Sequence, residues 1–498
     1  MTHGGVAGVG GADTTVDGAA AELLPLRRRA PTARARWNGL AILALFSFLL
    51  TLDDTALAVA LPTIGRDLGL GLSGLEWVVN GYTLALAALL LVAGRLADVH
   101  GSRRLLLCGV AVFTAASLGA AVAPSGTLLV AARVVQGAGA ALIMPATLAL
   151  IASSFPERRR GFAVGVWAGV SAAGLAVGPL VGAALTAWVG WSAIFLFNVP
   201  AGVLGLAVAP RLLAAGPKRQ SSGFDVAGML ASAAGLFALV YALTEGMSAG
   251  WSSMPVVAAF AAAVAALGVF IVLERRSPAP LLELALFRSR NLTGANAVSL
   301  LSTAVMCAVF FFISLYLQVV RGYTALDAGL AFLPMTVLVC LVAPVAGRLG
   351  DRVGRRLPTV VGMAVLATGL WLLSRLGATT GVGPVLAALV VAGVGIGLST
   401  APTTAAALDH APEWEAGVRA GILNTSRMIG LAVGIALMGA IVSARWPGGL
   451  AGAATDPRAF VDGLSIAFVV NAAIAITAAL VAALTLDSGS RPRAFRAS

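Results

Sequence analysis

Long apolar runs dominate this sequence. From Trp37 to Asp487 about fourteen stretches of ~20 residues or more follow one another, each long enough to cross a ~30 Å hydrocarbon core as an α-helix. The composition agrees, since 59% of the 498 residues are hydrophobic and only 11% are charged, against roughly 25% charged in a soluble domain. The chain therefore reads as an all-α integral membrane protein.

One charged loop occurs twice. Gly94-Arg95-Leu96-Ala97-Asp98-Val99-His100-Gly101-Ser102-Arg103-Arg104 and Gly347-Arg348-Leu349-Gly350-Asp351-Arg352-Val353-Gly354-Arg355-Arg356 lie 253 positions apart (94 to 347), and each joins two apolar runs. A repeated Gly-x-Leu-x-Asp-x-x-Gly with a following Arg pair marks a duplicated bundle, its short loop at the same place in each half. Duplication of this kind points to a transporter. With six helices per half, the second copy is expected near the eighth run, yet it falls between the tenth and eleventh, so two extra helices at roughly 225–273 are inserted between the halves. The expected organisation is a disordered cytoplasmic tail over 1–36, a six-helix bundle over 37–214, a two-helix insert with flanking loops over 215–291, a second six-helix bundle over 292–487 and a cytoplasmic tail over 488–498.

A net charge of +12 raises the question of nucleic acid, and the placement of the cations answers it. With the N-terminus taken as cytoplasmic, the tails and alternate loops on that side hold 26 of the 33 Lys and Arg, whereas the opposite loops hold five and the spans hold two, Arg133 and Arg427. This asymmetry orients a membrane chain, so both termini are expected in the cytoplasm of a cell whose membrane the chain crosses. No nucleic-acid partner is implied. Cys108, Cys307 and Cys340 each fall in an apolar run without a C-x-x-C pair or a His nearby, and read as small buried side chains, with no metal site.

Charges at membrane depth cost about 2.5–3.5 kcal/mol on insertion scales, so each calls for a partner or a purpose. Asp53 lies eight residues before Leu61, which puts it ~12 Å from the end of the first run, and Arg133 enters the fourth run from the same side at ~9 Å, a similar depth. Asp53 and Asp54 are rotated ~100° apart, so one is expected to face a central cavity and the other a helix neighbour. A carboxylate whose surroundings alternate between burial and a nearby Arg is suited to proton exchange; the alternative is a structural ion pair. Gln136 and Gly137 follow Arg133, leaving it access to a polar cavity or letting a neighbouring backbone approach. Gly174, Gly178 and Gly182 recur every fourth position around Pro179, which suits close helix contact with a bend. Asn424 and Arg427, three residues apart on one helical face, suit either a substrate or gate contact or hydrogen bonding between helices. Asp98 and Asp351 are placed to meet the positive N-terminus of a helix from the opposite half, the plainer reading being a tight turn with solvated charges.

Taken in order along the chain, these segments resemble the major facilitator superfamily, and within it the fourteen-span drug:proton antiporters. The Gly94–Arg104 loop, with Gly94, Asp98, Gly101, Arg103 and Arg104 and the counterparts Asp351 and Arg355, resembles the family's loop signature. Leu52-Asp53-Asp54-Thr55 with Val59-Ala60-Leu61-Pro62 resembles its first-helix motif. Arg133-Val134-Val135-Gln136-Gly137 resembles its fourth-helix motif, Gly174–Gly182 its fifth-helix antiporter motif, and Pro280-Leu281-Leu282-Glu283 with Leu286-Phe287-Arg288 the segment entering the ninth helix. Ala58 departs from the usual Asn, and Ala183 from a common Gly. The resemblance implies a major facilitator fold of two pseudo-symmetric six-helix bundles, a proton-linked role for Asp53 with Arg133 as the basic partner, and a gate at the two loops. It further implies export of hydrophobic or amphipathic drugs, antibiotics or dyes in exchange for protons, by a monomer in the lipid bilayer. The alternative is a dedicated exporter of one endogenous metabolite or self-made antibiotic. Gly-x-x-x-x-Gly-Lys-Ser/Thr does not occur, so the expected energy source is the proton motive force, with no cofactor and no enzymatic activity.

Overall fold

The computed structural model describes residues 33–214, 225–278, 280–445 and 457–488, together with 1, 4 and 5. Most of the two expected tails and the loop 215–224 lie outside the described residues. Among those described there is no strand, and fourteen helices are long and apolar enough to cross a membrane. In chain order they are α1 (Ala33–Leu68), α2 (Leu72–His100), α3 (Ser102–Ala121), α4 (Gly126–Ser154), α5 (Glu157–Trp188), α6 (Ser192–Leu212), α7 (Val226–Ala249), α8 (Met254–Arg276), α9 (Arg290–Leu315), α10 (Leu333–Val353), α11 (Arg356–Leu373), α12 (Val382–Leu408), α13 (Ala416–Arg445) and α14 (Pro457–Thr485).

The packing repeats with an offset of eight. In the first half α1 packs on α5, α2 on α4, and α3 on both α4 and α6. In the second half α9 packs on α13, α10 on α12, and α11 on both α12 and α14. The seams between halves obey the same operation, α5 meeting α10 and α2 meeting α13. The duplicated loop is thus the visible trace of a duplicated bundle. α7 and α8 pair with each other and α7 covers the α2–α13 seam, where Leu91, Leu236, Leu281, Val418 and Ile422 share one buried apolar cluster. The six-two-six order follows from this: the insert caps a seam without entering either bundle.

Glycine decides how close the halves come. A Cβ on Gly94 would stand 2.5 Å from the Gly417 carbonyl oxygen, and one on Gly169 would stand 2.8 Å from that of Cys340. Both seams are therefore backbone against backbone. In the two hairpins, Gly101 and Gly354 have φ of 91° and 93°, a left-handed region that favours glycine and lets two helices follow one another with one residue between them in the first copy and two, Gly354 and Arg355, in the second. The repeat is not perfect beyond that point. Arg355 directly follows Gly354, whereas Ser102 follows Gly101, and the Arg pair comes one residue later.

Three elements differ from the sequence expectation. α1 continues through Pro62 to Leu68, so Leu61 is not its end. α9 closes in a π turn over Tyr316–Val320, and the tenth run is broken into a short helix, Ala325–Ala331, and α10. A capping box between Thr324 and Asp327 starts that short helix. Of the three cysteines expected to be buried, Cys108 is exposed on α3 and Cys307 and Cys340 are half-buried, and all three are free.

Candidate functional site

The side of the bundle where α1 begins and α14 ends is called here the tail side. Deep in the first half, Asp53 on α1 is wholly buried and surrounded by donors from two other helices. Arg133 Nη1 on α4 donates to Asp53 Oδ2 at 2.7 Å, and Gln136 Nε2 and Asn198 Nδ2 donate to Oδ1 at 3.1 and 2.5 Å. Two of the three guanidinium nitrogens are engaged: Nε donates to the Val78 carbonyl at 3.1 Å, Nη1 also reaches Gln136 Oε1 at 2.8 Å, and Cζ lies over the Tyr82 ring, 4.3 Å from its centre. Gln136 in turn donates to Ser117 on α3. Five of the six helices of the half thus meet at one ion pair.

The neighbouring carboxylate is placed differently. Asp54 keeps half of its side-chain surface exposed and lies 3.9 Å from Arg133 Nη2, a nitrogen with no hydrogen-bond partner. Of the two adjacent acids, Asp53 therefore faces the helix neighbours and Asp54 the open interior. Beyond them, toward the far side, a cleft of about 600 Å³ lies between α1 and α2, lined by Ala58, Leu61, Pro62, Leu75, Glu76, Val79 and Asn80. The expected depth match needs correction for α1. Its 36-residue helix projects about two turns past Leu61, so Asp53 meets Arg133 although the two lie at different distances from their helix ends. Asn198, Ser117 and Tyr82 were missed by the sequence reading; the signal for the first two was a polar side chain in an otherwise apolar run, too common in this chain to single them out.

Gly137 and the Gly174–Gly182 row serve close approach. A Cβ on Gly137 would run into the Tyr82 backbone, so α4 and α2 touch there, and Gln136 lies inside the pair's network with no open cavity wall. On α5, which carries Pro179 inside it, Cβ atoms at Gly174 and Gly182 would lie 2.6 and 2.5 Å from the carbonyl oxygens of Phe48 and Ala56 on α1. This row presses α5 onto the very stretch of α1 that carries Asp53 and Asp54. Gly174→Leu should lower the melting temperature of the purified protein, at a cost of about 1–3 kcal/mol for the overpacked contact; an unchanged melting curve would show that α1 and α5 are not pressed together there.

On the tail side the two repeated loops form reciprocal clamps. The Asp98 carboxylate, from the first half, accepts from the backbone N–H groups of Gly417 and Val418 at 2.7 and 2.8 Å, at the start of α13. Asp351, from the second half, accepts from Gly161 and Phe162, both at 2.9 Å, at the start of α5. Asp98 satisfies two amides that the start of α13 leaves unpaired, Asp351 adds a second acceptor to two amides in the second turn of α5, and each places a negative charge near the positive end of a helix dipole. The second clamp is reinforced. Arg355 bonds Asp351 at 2.6 Å and Asp409 at 2.9 Å, and Arg160 on α5 reaches the Leu408 carbonyl at 2.7 Å beside the same Asp409. Burial alone would lower the Arg355 pKa, yet Asp409 and Asp351 raise it above the ordinary arginine value, so the charge is permanent. Arg103 instead donates to the Pro210 and Leu213 carbonyls at the end of α6, and Arg104 is exposed. Neither joins the first clamp. Asp409 and Arg160 escaped the sequence reading, the latter because it stands among Arg158 and Arg159 and looked like one more orienting cation.

In the second half, Asn424 is fully buried on α13, and Arg427 Nη2 donates to Thr404 Oγ1 on α12. Next to it Ser426 donates to Asn296 on α9.

The sequence profile described as Major Facilitator Superfamily matches residues 43–435 and 338–497. The chain belongs to that superfamily. Among its relatives, the tetracenomycin C resistance and export protein of Streptomyces glaucescens is 33% identical over 92% of this chain and 93% of its own length. The methylenomycin A resistance protein of Streptomyces coelicolor is 40% identical over 79% of this chain and 82% of its own, and the multidrug resistance protein Stp of Mycobacterium tuberculosis is 36% identical over 80% and 74%. The major facilitator fold appears also in the proton:xylose symporter XylE, whose solved structure aligns with a TM-score of 0.62 at 14% identity, covering 90% of this chain and 95% of that one.

Proposed function

We propose that this major facilitator is an exporter of hydrophobic or amphipathic drugs, antibiotics or dyes, driven by protons across the cell membrane and working by alternating access. The names of its relatives, which are resistance and export proteins, support the direction of transport and the substrate class. The tail side, with 26 of 33 cations, is the cytoplasmic side in this reading. With both clamps made on that side and a cleft between the far ends of α1 and α2, the state described here is the outward-facing one.

The observation that carries the proton coupling is the pairing of unlike neighbours. Asp53 is fixed by three donors, Asp54 is half exposed, and both share one guanidinium. A proton reaching the pair from the cavity first meets Asp54. Its uptake releases part of the attraction that holds α1 to α4, so protonation and substrate release are linked through the same cation. The two halves rock about the glycine seams, and the cytoplasmic clamps break and remake in each cycle.

The test is dye uptake into everted vesicles, or dye efflux from cells, of an efflux-deficient host at matched membrane level, with the proton gradient imposed or collapsed. Asp54→Asn should remove most of the response to the gradient, by about tenfold, while leaving the protein folded. Transport that keeps its proton dependence in both Asp53→Asn and Asp54→Asn would defeat the coupling scheme. Protection against a single compound in a broad panel would instead favour a dedicated metabolite exporter.

A further inference from the structure

We propose that Arg427, with Thr404 and Asn424, forms a receptor for an anionic group of the transported molecule, so that amphipathic acids are preferred over their neutral esters. The proposal rests on the exporter reading and names a substrate class within it.

The two intramembrane arginines differ in their partners. Arg133 has two carboxylates within 4 Å, Asp53 at 2.7 Å and Asp54 at 3.9 Å. Arg427 forms no ion pair with any described residue; what it contacts is the neutral hydroxyl of Thr404 at 2.5 Å. A cation held at membrane depth without a counter-charge is costly, and its interactions are incomplete until an anion joins it. The second observation lies three residues earlier on the same helix. Asn424 is fully buried, yet neither its Oδ1 nor its Nδ2 has a hydrogen-bond partner. Buried amides are normally satisfied, so an open donor beside an open guanidinium describes an incomplete binding site.

Packing shows which way the site faces. Gly430 and Gly434 seat α13 against Leu300 and Ala304 of α9, and Ala432 joins Leu84, Ala87 and Val240 in the cluster with α2 and α7. The strip between these contacts is Arg427, Leu431 and Ile435, each only partly covered. Arg427 is the twelfth of the thirty residues of α13, close to mid-membrane, where the two halves enclose the transport path. Its planar fork takes a carboxylate through two parallel hydrogen bonds, which a point-charge lysine cannot reproduce. Leu431 and Ile435 continue the strip as an apolar surface. An acid head with a hydrophobic body fits that order.

The experiment uses dansyl-norleucine and its methyl ester, which share a body and differ in charge, in cells of an efflux-deficient host expressing wild type, Arg427→Gln or Arg427→Lys at matched membrane level. The readout is the acid-to-ester ratio of efflux rates, with rises in melting temperature of the purified proteins by each probe as a second measure. Wild type should favour the acid. Arg427→Gln should cut the ratio about tenfold, and Arg427→Lys should recover part of it. Thr404→Val should lower the ratio in the same direction. A ratio unaffected by Arg427→Gln, or wild type exporting only the ester, overturns the anion receptor and leaves the exporter reading standing. Export of neither dansyl probe nor of any dye in the panel removes the exporter reading and the receptor with it. Stabilisation of wild type by chloride alone, with no further effect of the acid probe, assigns Arg427 a resident inorganic anion and equally overturns the proposal.

Discussion

Arg133→Ala is expected to abolish transport and to be the most damaging single substitution in the first half. It leaves Asp53 and Asp54 side by side with only amide donors for company, and breaking a buried pair in this way costs about 3–5 kcal/mol. The structure also predicts an asymmetry. Asp53→Ala leaves Arg133 beside Asp54, 3.9 Å away, and still bonded to the Val78 carbonyl and Gln136, so it should cost less. Arg133→Lys should fall between wild type and Arg133→Ala, because one ammonium restores the charge without the three-sided geometry of the guanidinium. Melting curves of the purified proteins decide the matter: if the Asp53→Ala, Arg133→Ala double variant is no more stable than Arg133→Ala alone, the loss is not that of a stranded charge.

Asp351→Ala should have the next largest effect, on the conformational equilibrium and not on folding. It takes an acceptor from the Gly161 and Phe162 amides near the start of α5 and removes one of the two carboxylates that Arg355 bonds. Hydrogen bonds to a charged group contribute about 1.5–3 kcal/mol, so the closed tail side should lose about 2–3 kcal/mol, a shift of roughly 30–150-fold in the ratio of the two states. Spin labels at Arg104 and Arg356 on the tail side should move apart, and labels at Thr127 and Thr379 on the far side should move together. Asp98→Ala should act in the same direction but more weakly, since no Arg stands at Ser102 to hold a network like that of Arg355 and Asp409. Distance distributions that match wild type in both variants would show that the two carboxylates do not gate the path.

The asymmetry of the clamps separates what repetition conveys from what it hides. Both hairpins have Gly in the left-handed region and Asp four residues after the first Gly, and this much is plain in the letters, because a helix-to-helix turn of one or two residues demands that glycine. The one-residue shift of the Arg pair is equally present in the letters, but its effect depends on Asp409 and Arg160, which reach the loop only because α12 ends and α5 begins beside it. No local pattern relates positions 160, 351, 355 and 409.

The sequence by itself determined the class of the molecule. Apolar length dictated helices across a bilayer, the spacing of a repeated loop dictated two bundles with an insert, and the positions of Asp53, Arg133 and the glycine rows marked where polar chemistry and close packing would fall. These properties are legible because they depend on spacing along one helix. Which of two adjacent acids turns inward, which helices cradle Arg133, and that Arg427 is left without a counter-charge were decided by tertiary structure. The physical reason is that adjacent helical residues point ~100° apart, so burial and pairing depend on how each helix is rotated in the bundle. That rotation is set by packing across distant segments, such as Gly174 against Phe48, and not by the residues next in line.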